Sequence, residues 1–306
     1  MNIRQLQSFL TVVELQSFSK AARKLYMSQP AISLQIKTLE QQLGVVLLER
    51  SDRNIVLTPG GEVVLREARE IMDAYRRLEE GIEEIKGRKA GSVVIAASTV
   101  PGEYLLPGVI GGFQNAFPGI GVTMRICDTG RAVNLLLSRA ADVGIVGADV
   151  SQEGLGCLEF YGDELVLIVP PGHACAGTTI KVKDLEKVEF ILREPGSGTR
   201  QTFEELLARH GVDSENLKVV LEVGSTRAII TAVEEGLGVS VVSRLAAREA
   251  LALGLVKAVT VEDLPMERAL FVATRTRALR SPATGSFVQF LLEWSRLQES
   301  KSGGYK

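Results

Sequence analysis

At 306 residues, with 45% hydrophobic and 24% charged side chains, the chain is long enough for two or three compact domains and ordinary in composition for a globular protein. Aromatic residues make up only 5%, which argues against stacking platforms for single-stranded nucleic acid. Cys127, Cys157 and Cys175, with His173 and His210, are too few and too scattered for a disulfide framework or a zinc site, so no cofactor is expected.

The net charge of −2 is unevenly spread. Residues 1–60 hold seven basic side chains against four acidic ones, or +3, which leaves −5 for the remainder. A mildly basic head on an acidic body suits a phosphate-binding module joined to something else. Glu14, Ser17 and Lys20 interrupt the early apolar positions, so no signal peptide is read there. No apolar run approaches the ~20 residues needed to span a bilayer, so a cytoplasmic protein with no membrane partner is expected.

Ile3, Leu6, Phe9, Leu10 and Val13 recur at helical spacing and predict a first helix over roughly 3–15. Ser17 caps a second, with Ala21, Ala22 and Leu25 on its buried face. After a turn at Tyr26–Ser28, a third helix opens with Ser28 as N-cap and Pro30 in the first turn, and Gly44 ends it. Its apolar stripe is Ala31/Ile32, Ile36, Leu39 and Leu43. Its polar face is read as Gln29, Ser33, Gln35 and Lys37, side chains able to reach base edges. Val45–Leu48 and Ile55–Leu57 predict two short strands around a charged tip, a wing that places Arg50 and Arg53 near phosphates or a minor groove. A plain helical bundle with a solvated polar face would share this periodicity.

Specific runs favour the first alternative. Phe18-Ser19-Lys20-Ala21-Ala22-Arg23-Lys24-Leu25, Ser28-Gln29-Pro30-Ala31-Ile32-Ser33, Ile36-Lys37-Thr38-Leu39-Glu40, Leu43-Gly44 and Leu57-Thr58-Pro59-Gly60-Gly61 resemble the DNA-binding signature of LysR-type regulators, nearly without gaps. Leu48 departs from it, standing where the family commonly has Phe. The resemblance implies that Gln29, Pro30 and Ser33 enter the major groove and that Arg53 serves the wing. The full set of candidate DNA contacts is Ser17, Phe18, Lys20, Ser28, Gln29, Pro30, Ser33, Gln35, Lys37, Arg50 and Arg53.

Over 61–89 the pattern becomes a heptad seam of Val64, Ala68, Ile71, Tyr75, Leu78, Ile82 and Ile85 between Glu- and Arg-rich positions, which predicts a linker helix meeting a partner helix. The resemblance agrees, because LysR-type regulators dimerise through such a helix.

From residue 91 apolar runs alternate with helical stretches. Strands are expected at 93–97, 122–126, 143–146, 164–169, 189–193, 218–223, 239–242 and 269–273. Helices are expected near 103–116, 131–141, 199–210, 226–236, 244–252 and 284–299, hence an α/β domain with a mainly parallel sheet. Crossovers near 161–163 and 265–268 divide it into two lobes around a cleft, a layout that resembles the type 2 periplasmic-binding-protein fold.

The expected fold class is therefore multi-domain: an all-α winged helix-turn-helix (1–60), a long linker helix (61–89) and a two-lobed α/β effector domain (90–300). Lobe I takes about 90–161 and 267–300, and lobe II about 162–266.

Ligands of open α/β sheets sit beyond strand C-termini, where helix N-termini present free N–H groups. Ser98-Thr99-Val100, Thr129 with Arg131, and the run Pro195-Gly196-Ser197-Gly198-Thr199-Arg200 are such places, with Thr226 as a weaker candidate. The last run joins glycines, hydroxyls and a cation, which suits a small anion or carboxylate. It also resembles the LysR branch that includes sulfur-assimilation regulators.

The reading is a transcription regulator that binds double-stranded promoter DNA, answers a small-molecule effector, forms a homodimer or homotetramer and engages RNA polymerase. A solute-binding protein using the two lobes alone is the alternative, which residues 1–89 count against. An enzyme is not expected: there is no Gly-x-Ser-x-Gly elbow, metal cluster or Walker loop.

Overall fold

A computed structural model describes residues 1–50, 55–87, 90–276 and 280–302. The chain divides into two compact units, residues 1–87 and 88–306. Among the described residues no helix is long and apolar enough to cross a membrane.

The first unit begins with α1 (Ile3–Leu15), opened by a capping box in which the Asn2 side chain accepts from Gln5 N and the Gln5 side chain accepts from Asn2 N. Helices α2 (Phe18–Lys24) and α3 (Gln29–Leu43) start on the hydroxyls of Ser17 and Ser28, as their sequence signals predict. Leu6, Phe9, Val12, Ala21, Ala22, Ile32, Ile36 and Leu39 bury their side chains between the three helices. The small Ala21 and Ala22 let α2 lie close to its neighbours.

Strands β1 (Leu48–Arg50) and β2 (Ile55–Leu57) pair antiparallel, Leu48 opposite Leu57. The expected strand over Val45–Leu48 therefore begins only at Leu48. Upstream of it the Glu40 carboxylate accepts from the N–H groups of Leu47 and Leu48, which hold that segment against α3 instead of extending the ladder.

Helix α4 (Pro59–Ile85) is capped by Thr58 and begins two residues before the expected linker. Gly61 is required there: a Cβ would lie 2.1 Å from the carbonyl oxygen of Leu47. Val64, Leu65, Ala68 and Met72 pack on the helix-turn-helix core. Beyond them Ile71, Tyr75, Leu78, Ile82 and Ile85 stay exposed, so the heptad seam has two halves with different surroundings.

In the second unit, β3 (Gly91–Ser98), α5 (Thr99–Tyr104), α6 (Leu106–Ala116), β4 (Ile120–Cys127), α7 (Thr129–Leu137) and β5 (Val143–Val146) build lobe I. The long strand β6 (Leu155–Val169) then leads into lobe II. This lobe comprises β7 (Thr179–Lys181), β8 (Glu189–Arg193), α8 (Gly198–Arg209), β9 (Lys218–Val223), α9 (Thr226–Glu234), β10 (Ser240–Ser243), α10 (Arg244–Ala252) and β11 (Lys257–Glu262). Strand β12 (Glu267–Arg275) returns to lobe I, where α11 (Pro282–Ser302) covers the sheet.

The lobe I sheet runs β4-β3-β5-β12-β6. Its β3 pairs are parallel, and those made by β12 are antiparallel. In lobe II, β6 pairs antiparallel with β10 and β11, β7 joins β11 in parallel, and the parallel pair β8–β9 reaches β10 through a bridge between Phe190 and Val239. The sheets are thus mixed, not mainly parallel, because two strands pass between the lobes in opposite directions. Strand β6 faces β12 up to Glu164 and switches to β10 at Leu165. The crossover falls just past the expected 161–163. Strands β7, β11 and the first half of β6 carry no clear sequence signal. β7 is a three-residue edge strand, β11 buries only Val259 and Val261 of its six residues, and glycines and acids (Gly156, Glu159, Gly162, Asp163) break up the third.

Gly61→Ala is expected to cost the helix-turn-helix about 3 kcal/mol through the clash with the Leu47 carbonyl. Hydrogen exchange at the amides of α1 and α3 checks this, and unchanged protection would contradict the close approach.

Candidate functional site

In the first unit most of the candidate DNA contacts lie on α3. At 100° per residue, Gln29, Pro30, Ser33, Leu34 and Lys37 share one side of the helix, and Ile32, Ile36 and Leu39 share the other. Phe18, Pro30, Ser33, Leu34 and Lys37 line a common groove with Leu48 at its wing end. Gln29 and Lys37 are exposed, Phe18 is half-buried, and Lys20 is exposed on α2. The Gln29 carbonyl oxygen accepts from Ser19 Oγ at 3.0 Å, which steers its amide group. Ser17 and Ser28 spend their hydroxyls on helix caps.

Gln35 is a correction to the expected exposed face. It lies about 160° round the helix from Lys37, and its Oε1 accepts from Ser8 Oγ of α1 at 2.5 Å. Its amide nitrogen approaches Met27 Sδ at 3.9 Å. Gln35 therefore braces α3 on α1. Arg53 and the side chain of Arg50 lie outside the described residues. Ser19, Glu40 and Leu34 had no place in the sequence-based set. The first two act through long-range bonds, and an aliphatic residue at position 34 reads as core until the helix phase is known.

In the second unit three helix starts face one another: α5 after Ser98, α7 after Asp128, and α8 after Ser197. Ser98, Thr99, Val100, Thr129, Ser197, Gly198 and Thr199 all line the same cleft, together with Asp128, Gly147, Arg193 and Arg268. The helices meet closely. A Cβ on Gly198 would stand 2.9 Å from Thr129 Oγ1, so only glycine lets α8 approach lobe I. The free volume is about 10 Å³, close to the space of a single water molecule.

Two guanidinium groups border this space, and each side chain is only 4% exposed. Arg193 ends β8. It grips the Glu194 carboxylate at 2.7 and 2.8 Å, donates to Thr226 Oγ1 at 2.7 Å, and reaches across the cleft to Thr99 Oγ1 at 3.3 Å. Arg268, on β12, donates from Nε to Asp163 at 2.8 Å and across the cleft to Thr199 Oγ1 at 3.2 Å. Asp163 also accepts from Ser243 Oγ at 2.8 Å, at the start of α10. Burial pushes the Arg268 guanidinium below its ordinary value. Asp163 opposes that shift, and the nearby charge of Arg193 adds to it.

Two buried polar atoms lining this cleft, Thr129 Oγ1 and Arg268 Nη2, make no hydrogen bond among the described residues, although Nη2 lies 2.7 Å from Asp163 Oδ2. Ser98 and Ser197 do not cap their own helices. Among the described residues that line the cleft the acid is Asp128, whose Oδ1 accepts from Arg131 N as the cap of α7. Hydroxyls, guanidiniums and helix N-termini are groups with the chemistry to bind a small anion. A wider cavity of about 800 Å³ opens on another side of the Asp163–Arg268 pair, bordered by Glu159, Glu164, Arg244 and Arg248. It lacks the converging helix starts, and Arg244 there is spent on Glu164.

Five candidates from sequence lie elsewhere. Arg200 points away from the cleft and bonds Glu204, Glu222 and the Arg193 carbonyl at 2.7, 2.7 and 2.9 Å, because its place one residue after Thr199 turns it about 100° round α8. Arg131 is exposed and offers only its backbone N–H. Pro195 and Gly196 form the exposed turn before α8, where Gly196 supplies φ +89°. Thr226 does not line the cleft but orients Arg193. Arg193, Arg268 and Asp163 are the residues that local sequence did not single out. The signal available for Arg193 is an arginine closing an apolar strand immediately before a glycine-rich turn.

The family model described as "LysR substrate binding domain" matches residues 86–296, and that described as "Bacterial regulatory helix-turn-helix protein, lysR family" matches residues 3–62. The chain belongs to the LysR family of transcriptional regulators. Among its relatives is a "Probable RuBisCO transcriptional regulator" of Cyanidioschyzon merolae, 37% identical over 292 residues, covering 94% of this chain and 96% of the relative. Full-length CbnR, solved with its target DNA, is 26% identical with TM-score 0.67 and covers 96% of this chain and all of that one. The regulatory domain of CcmR from Synechocystis PCC6803, solved with 2-PG, is 29% identical with TM-score 0.62, covering 67% of this chain and 97% of the domain. This LysR-family protein is accordingly a DNA-binding regulator with an effector domain, not an enzyme.

Asp163→Ala leaves Arg268 buried without its counter-charge and is expected to cost about 3–5 kcal/mol. Denaturant unfolding of the effector domain measures it. A loss below 1 kcal/mol would show that the pair carries little of the hinge.

Proposed function

We propose that this regulator binds promoter DNA through the exposed face of α3, with Gln29, Pro30 and Ser33 toward base edges and Lys20 and Lys37 toward phosphates, and that its effector is a small anion or carboxylate held between the lobes. The observation that carries the effector reading is the convergence of Arg193 and Arg268 with the unpartnered Thr129 hydroxyl on one narrow space. The family's solved domain with 2-PG supports a small molecule at this kind of domain.

An organic effector needs more room than one water molecule, so its entry parts the Arg193–Thr99 and Arg268–Thr199 bonds and separates the lobes. These are the longest hydrogen bonds in the cleft, at 3.3 and 3.2 Å, and they are the ones that an anion's oxygens replace. The exposed stripe from Ile71 to Ile85 on α4 is the surface on which a second copy pairs, and pairing lets two modest DNA contacts add. Assembly into a tetramer and contact with RNA polymerase complete the reading. Ligand acts by favouring one arrangement of the assembly over another.

Thermal-shift screening of the purified protein tests the cleft. The panel holds inorganic oxyanions, sulfur metabolites, phosphorylated and aromatic carboxylates, and amino acids, which covers both the sulfur-branch resemblance and the RuBisCO-regulator relatives. A ligand at a hundredfold excess over its dissociation constant adds about 2.7 kcal/mol. The shift is expected to vanish in Thr199→Ala and to persist in Arg200→Ala, whose ion pairs lie outside the cleft. The reverse pattern would move the effector elsewhere. On DNA, Ser33→Ala and Gln29→Ala are expected to lower specific binding more than binding to random duplex. Equal losses on both would remove α3 from base reading.

A further inference from the structure

The exposed face of α3 carries a side chain that hydrogen-bonding recognition does not use. Leu34 is 64% exposed, in the second turn of a helix that buries Ile32, Ile36 and Leu39 and leaves Leu43 at its end 39% exposed. It sits between Pro30 and Lys37 and lines the same groove as Ser33. The surroundings favour a polyanion: Lys37 lines the groove and is exposed, and Lys20 and Arg23 are exposed on α2. The groove's acid, Glu40, has one carboxylate oxygen engaged by the backbone N–H groups of Leu47 and Leu48. A protruding aliphatic group among cations, on a helix that enters the major groove, finds one apolar feature there, the C5-methyl of thymine.

We propose that Leu34 is a specificity-determining residue that selects thymine at one position of each half-site by packing on its methyl group. The selection rests on α3 as the reading helix, and it adds an apolar contact to the polar ones of Gln29 and Ser33. Pro30, beside it on the same face, has no N–H to donate and leaves the apolar contact unchallenged at the helix start.

The test uses the full-length protein. Sites are enriched from a random duplex pool by wild type, Leu34→Ala and Gln29→Ala, and the wild-type site is then resynthesised with deoxyuridine replacing each thymidine in turn. Removing one methyl at the Leu34 position is expected to weaken wild-type binding roughly fourfold, the factor that burying one methyl-sized group supplies. Leu34→Ala should bind the two duplexes equally and lose its thymine preference at that position alone, and Leu34→Met should restore both. If every deoxyuridine duplex binds wild type as tightly as the parent, or if Leu34→Ala enriches the same bases as wild type, the assignment is wrong. When Gln29→Ala shifts preference and Leu34→Ala does not, only Leu34 is removed from the reading set. When neither shifts it, α3 itself is not the reader.

Discussion

Asp163 and Arg268 face each other where β6 and β12 run side by side between the lobes, with side chains 1% and 4% exposed. Taking both charges out of water costs several kcal/mol per ion, so the pair persists only where the remaining lone pairs and protons are also used. Here both carboxylate oxygens and two of the three guanidinium nitrogens are hydrogen-bonded. Ser243 donates to the carboxylate from the start of α10, and Arg268 reaches Thr199 at the start of α8. One ion pair therefore ties both crossing strands to two helix N-termini of lobe II. It also holds a guanidinium in the cleft with its charge balanced from behind, leaving its front face for a ligand.

Arg193 is a second instance of the same arrangement. Glu194 neutralises it, Thr226 orients it, and its last contact crosses to Thr99 in lobe I. The bonds that fix each arginine within its own lobe or hinge measure 2.7 and 2.8 Å, and the bonds that cross the cleft measure 3.2 and 3.3 Å. The strong contacts position the cations and the weak ones close the lobes. An anion that replaces the weak pair disturbs nothing that holds the arginines in place, which is how a site can be rigid in its donors and movable in its walls.

The helix-turn-helix follows the same logic on a smaller scale. Ser19 steers Gln29, Ser8 anchors α3 through Gln35, and Glu40 holds the backbone that leads into the wing. The Ser8–Gln35 bond lies on the far side of α3, whereas Ser19 holds Gln29 on the exposed face and Glu40 lines its groove. A side chain held in this way has less entropy to lose on binding a partner.

Much of this organisation is legible along the chain. Apolar spacing places α1 and α3, hydroxyl caps at Ser17 and Ser28 mark helix starts, and the bounds of β8 and β9 follow from apolar runs between breakers. These signals act within one helical turn or one strand, so a sequence window contains them. Ser98, Thr99, Thr129, Ser197, Gly198 and Thr199 of the cleft are legible for the same reason, since each stands at a helix start just beyond a strand. What the tertiary structure alone decides is direction and partnership. Whether Arg200 or Arg193 faces the cleft depends on the phase of α8 against β8. Gln35 turns inward because α1 presents Ser8 to it. The Asp163–Arg268 pair joins residues 105 positions apart, in strands that give no sign of being neighbours until both lobes have folded around them.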